Sequence, residues 1–257
     1  MSALAECGVT TEHLARIDDV PTGYVEASID SNGVATYVFP DNVAGDHSRI
    51  EPATLALAAP VDAVWFGSLA QRSDESHSAI LGFLKLLDSS VLKIFDLNIR
   101  QSFYSSNIIR DSLARADILK LNDDEIDLLN ELEGLEGSHE QQLRQLVDHY
   151  RLSLAVLTRG GGGSLLVSSQ AVSDHPGFQA EVIDTIGAGD SFTAVVAVGM
   201  LKGYPLESIN EHANRVAAYV CSHRGAMVPL PGELKEFSTV LESSAVLLYL
   251  SGGGKTL

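Results

Sequence analysis

Short apolar runs alternate with longer amphipathic segments through the middle of the chain. The runs that we expect to form strands cover residues 63–67, 91–96, 117–122 and 154–158. Helices are predicted around and after them, at 76–87, 108–116, 140–150, 191–201 and 206–222. Short buried strands that alternate with helices are typical of βαβ units. The pattern therefore predicts an α/β fold with a mostly parallel sheet flanked by helices.

Two weaker strand signals follow the glycine-rich stretch at 160–163. Residues 164–168 and 180–183 each carry a short apolar run. The glycines before them allow the chain to reverse its direction. We therefore predict that both segments join the sheet as antiparallel strands.

The apolar pattern has a period of two near the start of the chain. Residues 24–29 and 35–39 alternate in this way, and Asp30-Ser31-Asn32-Gly33 separates them. Asn and Gly both accept positive φ, as a tight hairpin turn requires. The pattern predicts a small β-hairpin at 22–40. Because no low-complexity linker divides the chain, we expect the hairpin to belong to a single α/β domain at 1–257.

Composition narrows the class of ligand. The 257 residues carry a formal net charge of −17, which argues against a nucleic-acid binder because phosphate backbones attract basic surfaces. The sequence shows neither an apolar run of membrane-spanning length nor the pattern of a signal peptide. Cys7 and Cys221 are far apart and form no disulfide framework. We expect a cytoplasmic protein with small-molecule ligands and with neither nucleic acid nor membrane as a partner.

Polar residues follow the predicted strands at their carboxyl ends. In an open parallel sheet, ligands bind beyond these ends. The candidate positions are Asp96, Asn98, Arg100, Asn122, Glu125, Thr158 and the turn at 184–190. We expect them to converge at one edge of the sheet.

The turn at 184–190 reads D-T-I-G-A-G-D and precedes a predicted helix. A helix N-terminus has unpaired N–H groups and partial positive charge, and glycine lets a ligand approach them closely. Gly187, Ala188 and Gly189 therefore suit an anion. Two interpretations of Asp190 stay open at this point: a cap of the helix, or a general base beside the bound anion.

Five stretches of the sequence together resemble one protein family. D-T-I-G-A-G-D-S-F at 184–192 resembles the signature of the PfkB, or ribokinase-like, carbohydrate kinases. Four further stretches resemble motifs of that family: D-L-N-I-R at 96–100, N-D-D-E at 122–125, T-R-G-G-G-G at 158–163 and R-G-A at 224–226. The resemblance covers residues 20–232 and is greatest to bacterial fructokinases. It implies a ribokinase-like fold and transfer of the γ-phosphoryl group of ATP to a primary hydroxyl of a sugar.

The resemblance also implies a role for each matching residue. Asp190 would be the base that activates the sugar hydroxyl, and Gly187, Ala188 and Gly189 would form the anion hole for the γ-phosphoryl group. The residues implied at the sugar and the transferring phosphate are Asp96, Asn98 and Arg100. Those implied to bind ATP and to organise Mg²⁺ are Asn122, Glu125, Thr158, Gly160, Gly163 and Asn214. The carbonyl groups implied to bind K⁺ lie around Asp184, Ile186, Val220, His223 and Gly225.

By the same resemblance, the hairpin at 22–40 would be a lid. It would close over the sugar and exclude water, which limits wasteful hydrolysis of ATP. Pairing of lid strands between two copies would give a homodimer.

The sequence departs from the family pattern on the sugar side. The family normally begins with a strand that carries a sugar-binding aspartate and continues with a Gly-Gly-x-x-x-Asn motif, and we find neither, so the domain is expected to lack the usual first strands. Gly45 stands where fructokinases often have tryptophan. Two alternatives therefore stay open. One is a nucleotide-binding relative with impaired catalysis or a need for a partner. The other is a superfamily kinase for 2-keto-3-deoxygluconate, ribose or a nucleoside.

Overall fold

A computed structural model describes residues 2–29, 35–57, 61–235 and 247–250. Within these ranges the α-helices are α1 (Ser2–Glu6), α2 (Pro52–Leu57), α3 (Asp74–Leu84), α4 (Ser106–Leu113), α5 (Asp123–Glu133), α6 (His139–Tyr150), α7 (Ala188–Lys202) and α8 (Leu206–Cys221). Short 3-10 turns lie at Ala44–His47, Leu69–Gln71, Gly160–Gly162 and Gly232–Leu234. The five predicted helices are confirmed. Among the helices of the described residues, none has the length and apolar character that crossing a membrane requires.

The strands in the described ranges are β1 (Glu26–Ile29), β2 (Ala35–Val38), β3 (Ala63–Gly67), β4 (Leu92–Asp96), β5 (Ile118–Asn122), β6 (Leu154–Thr158), β7 (Ser164–Val167), β8 (Val172–His175) and β9 (Leu247–Leu250). Seven of them form one sheet in the order β8-β7-β6-β5-β4-β3-β9. The neighbours from β9 to β6 are parallel, and β7 and β8 are antiparallel additions. The predicted mostly parallel sheet is therefore confirmed.

Alternate residues of each central strand face opposite layers of helices. Phe66 and Phe95 point to the layer that contains α3 to α6, and their rings stack with centroids 5.3 Å apart. Trp65, Ile94 and Ile118 point to the other layer, where they pack with α7 and α8. Because both faces of the strands are covered, each strand is apolar along nearly its whole length.

The antiparallel end of the sheet differs from the prediction. Residues 164–168 form a strand as expected, but 180–183 do not, and the last antiparallel strand is Val172–His175. The Ser168 N–H donates to the Ala171 carbonyl oxygen over 2.9 Å, and this tight turn returns the chain directly to β7. Val182 and Ile183 are 63% and 53% exposed, so their apolar character does not come from burial in the sheet.

The sheet also contains a strand that the apolar pattern did not indicate. Strand β9 pairs in parallel with β3, with Leu247 opposite Ala63 and Leu250 opposite Phe66. Residues far apart in sequence therefore cover this side of β3. Strand β3 therefore has a neighbouring strand on this side, although the domain is expected to lack the usual first strands.

The predicted hairpin forms a sheet of its own. Strands β1 and β2 are antiparallel, with Glu26 opposite Val38 and Ile29 opposite Ala35. The turn with Asn32 and Gly33 lies outside the described residues.

Two helical glycines should respond to alanine with opposite signs. At Gly199 in α7, a Cβ atom would lie 2.6 Å from Cγ1 of Ile209, which is fully buried and cannot move away. At Gly82 in α3, the nearest atom is Cδ1 of Ile50, at 2.7 Å, and that side chain is 37% exposed and can rotate. Overpacking costs about 1–3 kcal/mol, whereas replacing Gly by Ala in a helix gains about 1 kcal/mol.

We therefore expect Gly199→Ala to lower the free energy of unfolding and Gly82→Ala to raise it. Urea denaturation of both variants beside the wild type measures the two signs. Equal stabilisation by both substitutions would contradict the packing of α7 on α8 described above.

Candidate active site

The carboxyl ends of three parallel strands bring the candidate polar residues together. Strands β4 and β5 pair with Asp96 opposite Lys120, and β5 and β6 pair with Asn122 opposite Thr158. Asp96, Asn122 and Thr158 are each the last residue of their strand. The register therefore places them side by side at one edge of the sheet.

Helix α7 begins at this edge, and Gly187 is its N-cap residue. Gly187 has φ 82°, and a Cβ atom there would lie 2.8 Å from the carbonyl oxygen of Ala226. Glycine is therefore required both by the backbone angle and by the close approach of the 225–226 turn. Asp190 lies in the first turn of α7 and is not the N-cap, so the capping interpretation of Asp190 is wrong.

Asp190 lies at the surface of this helix end. The residue is exposed, and its negative charge contributes to the raised pKa of both Asp96 and Lys120. The N–H group of Ala188 donates to the Thr185 carbonyl oxygen over 3.3 Å, a weak local bond within the glycine turn. The carboxylate of Asp190 is accessible to a ligand that approaches the start of α7.

A buried ion pair lies between the strand ends and α7. The Nζ atom of Lys120 is 3.1 Å from Oδ1 of Asp96, and the two side chains are 9% and 4% exposed. Burial raises the pKa of Asp96, and Lys120 opposes that shift. Burial alone would lower the pKa of Lys120, but Asp96 and Glu125 outweigh it, so the pKa of this lysine is raised and its ammonium form is favoured.

Glu125 joins two of the loops at this edge. Its side chain accepts N–H groups from Ile99, at 2.7 Å, and from Asn122, at 2.9 Å. In return, Oδ1 of Asn122 accepts the N–H of Glu125, so the two residues form the capping box of α5. Burial raises the pKa of Glu125. Both residues therefore have a structural role that holds the β4 and β5 loops at a fixed distance.

The loop after β4 carries the other two candidates of the D-L-N-I-R stretch. Asn98 has φ 42°, which is uncommon for a residue other than glycine. Arg100 is exposed, and its Nη1 atom donates to the carbonyl oxygen of Ile99 over 3.0 Å. The Oγ atom of Ser68 donates to the Leu97 carbonyl oxygen over 2.6 Å and anchors the loop from below. Asp96 is thus buried, whereas Arg100 reaches solvent.

A cavity of about 390 Å³ lies between the start of α7 and the glycine loop after β6. The candidate residues that line it are Thr158, Gly160, Gly163, Ala188, Gly189 and Asn214. Phe178, Val182 and Ala217 contribute apolar surface to its wall. Small-molecule sites have this size and this mixture of an apolar wall with a few polar groups.

The glycine loop holds its shape through close backbone contacts. Gly163 has φ 80°, and a Cβ atom there would lie 2.0 Å from the carbonyl oxygen of His175. Arg159, within the T-R-G-G-G-G stretch, turns away from the cavity and donates to Asp174 and to the carbonyl of Ser164. Thr158 donates to the Leu121 carbonyl oxygen over 3.3 Å.

Asn214 belongs to a buried polar network at the end of the cavity. Its Nδ2 atom donates to Oγ of Ser164 over 2.7 Å and to the carbonyl oxygen of Asn210 over 2.8 Å. Asn210 in turn donates to the Ser173 carbonyl oxygen over 2.9 Å. The network joins α8 to β7 and β8 and fixes where Asn214 meets the cavity.

The structure brings together the two segments that were implied to bind K⁺. Asp184 accepts the N–H of Ile186 and the N–H of Gly225, each over 3.0 Å. The carbonyl oxygen of Val220 accepts the N–H of His223 over 3.1 Å as α8 ends. The carboxylate of Asp184 thus ties the 184–186 turn to the 220–225 turn.

The acidic residues here do not form a ready metal site. No group of three or more His, Cys, Asp and Glu residues with the arrangement to hold a metal ion occurs within the described residues. The side-chain oxygens of Glu125 accept backbone amides, and Asp96 pairs with Lys120. These residues therefore do not fit direct coordination of Mg²⁺.

Two cations at this edge were missed by the motif analysis. Lys120 interrupts an apolar strand, which is the signal that could have identified it. Arg72 comes after the 3-10 turn that follows β3, and its side chain is 7% exposed; it forms two bonds with Asp46 and lies 4.5 Å from the ring centre of Phe103. It also donates to the Pro40 carbonyl, directly after the hairpin. Arg72 therefore anchors the base of the hairpin beside the strand ends.

Known proteins share both the sequence pattern and the fold. Residues 1–233 match the model of the pfkB family carbohydrate kinases. An uncharacterised sugar kinase from Pyrococcus horikoshii is 26% identical over 248 residues, which cover 93% of this chain and 76% of that protein. Its crystal structure has a TM-score of 0.71 to this chain and covers 88% of this chain and 72% of its own.

Two more distant relatives differ in the substrate that they are named for. Fructokinase from Xylella fastidiosa with bound ATP is 19% identical, with a TM-score of 0.76, and the match covers 97% of this chain and 77% of the other. Aminoimidazole riboside kinase from Salmonella typhimurium is 23% identical over 243 residues, 90% of this chain and 74% of that protein. The family match covers most of the chain, and the structural match confirms the ribokinase-like fold. The chain therefore belongs to the pfkB family of carbohydrate kinases.

Proposed function

We propose that this protein transfers the γ-phosphoryl group of ATP to a primary hydroxyl of a sugar, with fructose as the first candidate. The observation that carries the proposal is the start of α7. There, Gly187 caps a helix whose first residues, Ala188 and Gly189, line a cavity of about 390 Å³, and the exposed carboxylate of Asp190 follows in the same turn. A helix N-terminus attracts an anionic phosphoryl group, and a neighbouring carboxylate can accept a proton.

The mechanism follows from the order of these groups. The sugar hydroxyl would lose its proton to Asp190 as its oxygen bonds to the γ-phosphorus, and the bond from phosphorus to the leaving oxygen of ADP would break. The backbone amides at 187–189 would hold the negative charge of the transferring group. The chain as a whole carries a net charge of −17, so this local positive field has to offset repulsion between protein and nucleotide.

The cavity would hold the rest of the nucleotide. The glycine loop at 160–163 offers backbone without side chains for the phosphates and ribose. Phe178 and Val182 offer apolar surface for a base. Thr158 and Asn214 would supply the polar contacts at the two ends of the cavity, as the family resemblance implies.

The sugar would bind on the other side of Asp190, near the loop after β4. Asn98 and the exposed Arg100 are the candidate contacts there, while the buried Asp96 would act from below. The N–H of Phe39, after the hairpin, donates to Oε1 of Gln101 over 3.3 Å, which connects the hairpin to this loop. This contact supports the proposal that the hairpin acts as a lid over a sugar held by the loop, within one domain.

Mg²⁺ and K⁺ would be bound in two different ways. Since Asn122 and Glu125 bond to each other and to backbone amides, Mg²⁺ would be carried by the triphosphate and water. The joined turns at 184–186 and 220–225 support the proposal of a K⁺ site made of backbone carbonyls.

The first test measures turnover of the wild type. We expect release of ADP, in an assay coupled to NADH oxidation, to rise when fructose is added in the presence of ATP and Mg²⁺. Adenosine, ribose and 2-keto-3-deoxygluconate in the same panel test the alternative acceptors. Stabilisation by ATP in thermal unfolding without turnover on any sugar would support the alternative of an impaired nucleotide-binding relative instead.

A further prediction concerns Asp190, the proposed general base. We expect Asp190→Asn to lower kcat by about 100-fold or more, because removing a general base costs 10²–10⁴ in rate. Binding of ATP, measured by calorimetry, should stay within a few-fold of the wild type. Asp123→Asn is a matched control, since Asp123 is also exposed in the first turn of a helix, α5, and has no proposed role. Equal activity of Asp190→Asn and Asp123→Asn would refute the role of Asp190.

The third prediction separates the shape of the anion hole from general backbone strain. Gly187 and Gly203 flank α7, and both have positive φ, 82° and 68°. A Cβ atom at Gly203 meets no atom within 4 Å, whereas one at Gly187 meets the backbone of Ala226. We expect both alanine variants to lose about 1–3 kcal/mol from the unfavourable φ, and Gly187→Ala alone to weaken the binding of ATP as well. Isothermal titration of both variants, after a check of folding by circular dichroism, measures this difference.

A further inference from the structure

Lys120 is a charged residue inside an otherwise apolar strand. Strand β5 has the burial of a central strand, and its alternate residues Ile118 and Lys120 share a face. Ile118 packs in the cluster that includes residues of α7. The lysine side chain therefore extends into the space between the sheet and the first turn of α7.

The ammonium group lies against the start of this helix. An ideal Cβ atom built on Gly189 would be 3.4 Å from Nζ of Lys120, so the ammonium group lies at about van der Waals distance from this position of α7. A helix N-terminus carries partial positive charge and repels a cation. A buried cation at this place is therefore unfavourable unless anions surround it.

The protein supplies anions, but they leave donors of the ammonium group unused. Among the described residues, Asp96 is the one group that accepts a hydrogen bond from Nζ, while Glu125 and Asp190 act on it as charges. An ammonium group has three N–H donors. Lys120 thus retains donors next to Gly189 in the first turn of α7.

Without Lys120, the same place would repel a nucleotide. Asp96, Glu125 and Asp190 would then bring three carboxyl groups together next to the proposed anion hole. Arg100, the other cationic side chain of the predicted site, is exposed and donates to the carbonyl oxygen of Ile99. Lys120 is the buried cation that offsets these carboxylates where the phosphoryl group would bind.

We propose that Lys120 is a further catalytic residue whose ammonium group, next to Gly189, donates to the phosphoryl group held at 187–189. This inference rests on the proposed kinase function. During transfer, the bond between the γ-phosphorus and the ADP oxygen breaks and the bond to the sugar oxygen forms. The hydroxyl proton goes to Asp190, and Lys120 keeps all its protons while it stabilises the charge on the phosphoryl oxygens.

The test compares two lysines of adjacent strands. Lys120→Met removes the proposed contact, whereas Lys93→Met removes a lysine of β4 that pairs with Asp117 over 3.4 Å at the opposite end of the sheet. The Lys93 side chain is 13% exposed, so both substitutions delete a largely buried lysine and leave its carboxylate partner. The readouts are kcat with the sugar, affinity for β,γ-imido-ATP and for ADP by calorimetry, and thermal unfolding.

We expect Lys120→Met to lower kcat by about 100-fold, the usual cost of one lost donor to transition-state charge. Its affinity should fall by about ten-fold for the triphosphate analogue and by much less for ADP, because only the triphosphate has the γ-phosphoryl group. Lys93→Met should lose stability alone. Unchanged kcat and an unchanged ratio of the two affinities in folded Lys120→Met would overturn the proposal.

A second comparison covers the case in which Lys120→Met does not fold. The double variant Lys120→Met/Asp96→Asn keeps the net charge of the pair, and it is compared with Asp96→Asn alone. A lower ratio of triphosphate to diphosphate affinity in the double variant supports the contact, and equal ratios refute it. Absence of turnover in the wild type would count against the kinase function, whereas the affinity ratio tests Lys120 independently of turnover. A wild type that binds neither nucleotide would refute both.

Discussion

The ion pair between Lys120 and Asp96 is the constraint on which this edge of the sheet depends. Two charges in a nearly dry interior cost several kcal/mol each unless they stay paired, so neither side chain can leave its position. The pair joins adjacent strands, and Gly189 packs next to it. The distance between the sheet and the first turn of α7 is therefore set by a lysine side chain rather than by apolar packing alone.

Two contacts between backbones shape the walls that extend from this point. At Gly187, the start of α7 packs on the backbone of Ala226; at Gly163, the glycine loop packs on the backbone of His175 and on Gly177. In both places a side chain on the glycine would clash with the backbone segment that packs against it. The two walls of the cavity are thus held by main-chain geometry, which leaves its interior free for a ligand.

The apolar pattern predicted the central strands because both faces of β3 to β6 are buried, and such strands are apolar throughout. The same reasoning failed at 180–183, where Ala180 and Val182 line the cavity instead of pairing in the sheet. An apolar run carries no information about which of these two surroundings it has.

The D-T-I-G-A-G-D stretch indicated a helix start and an anion site. Which residue caps that helix depends on the positive φ of Gly187 and on the 225–226 turn. The position of Lys120 likewise depends on strand register and on the approach of α7, which arise only from tertiary packing.

The pairing of β9 with β3 has a consequence for how the protein is made. Leu247–Leu250 come much later in the sequence than Ala63–Gly67. They pair with one side of β3, and β4 pairs with its other side. At ordinary rates of translation, on the order of 10 s or more separates the synthesis of the two strands. During that interval the nascent sheet presents an unpaired edge, which favours association with other chains.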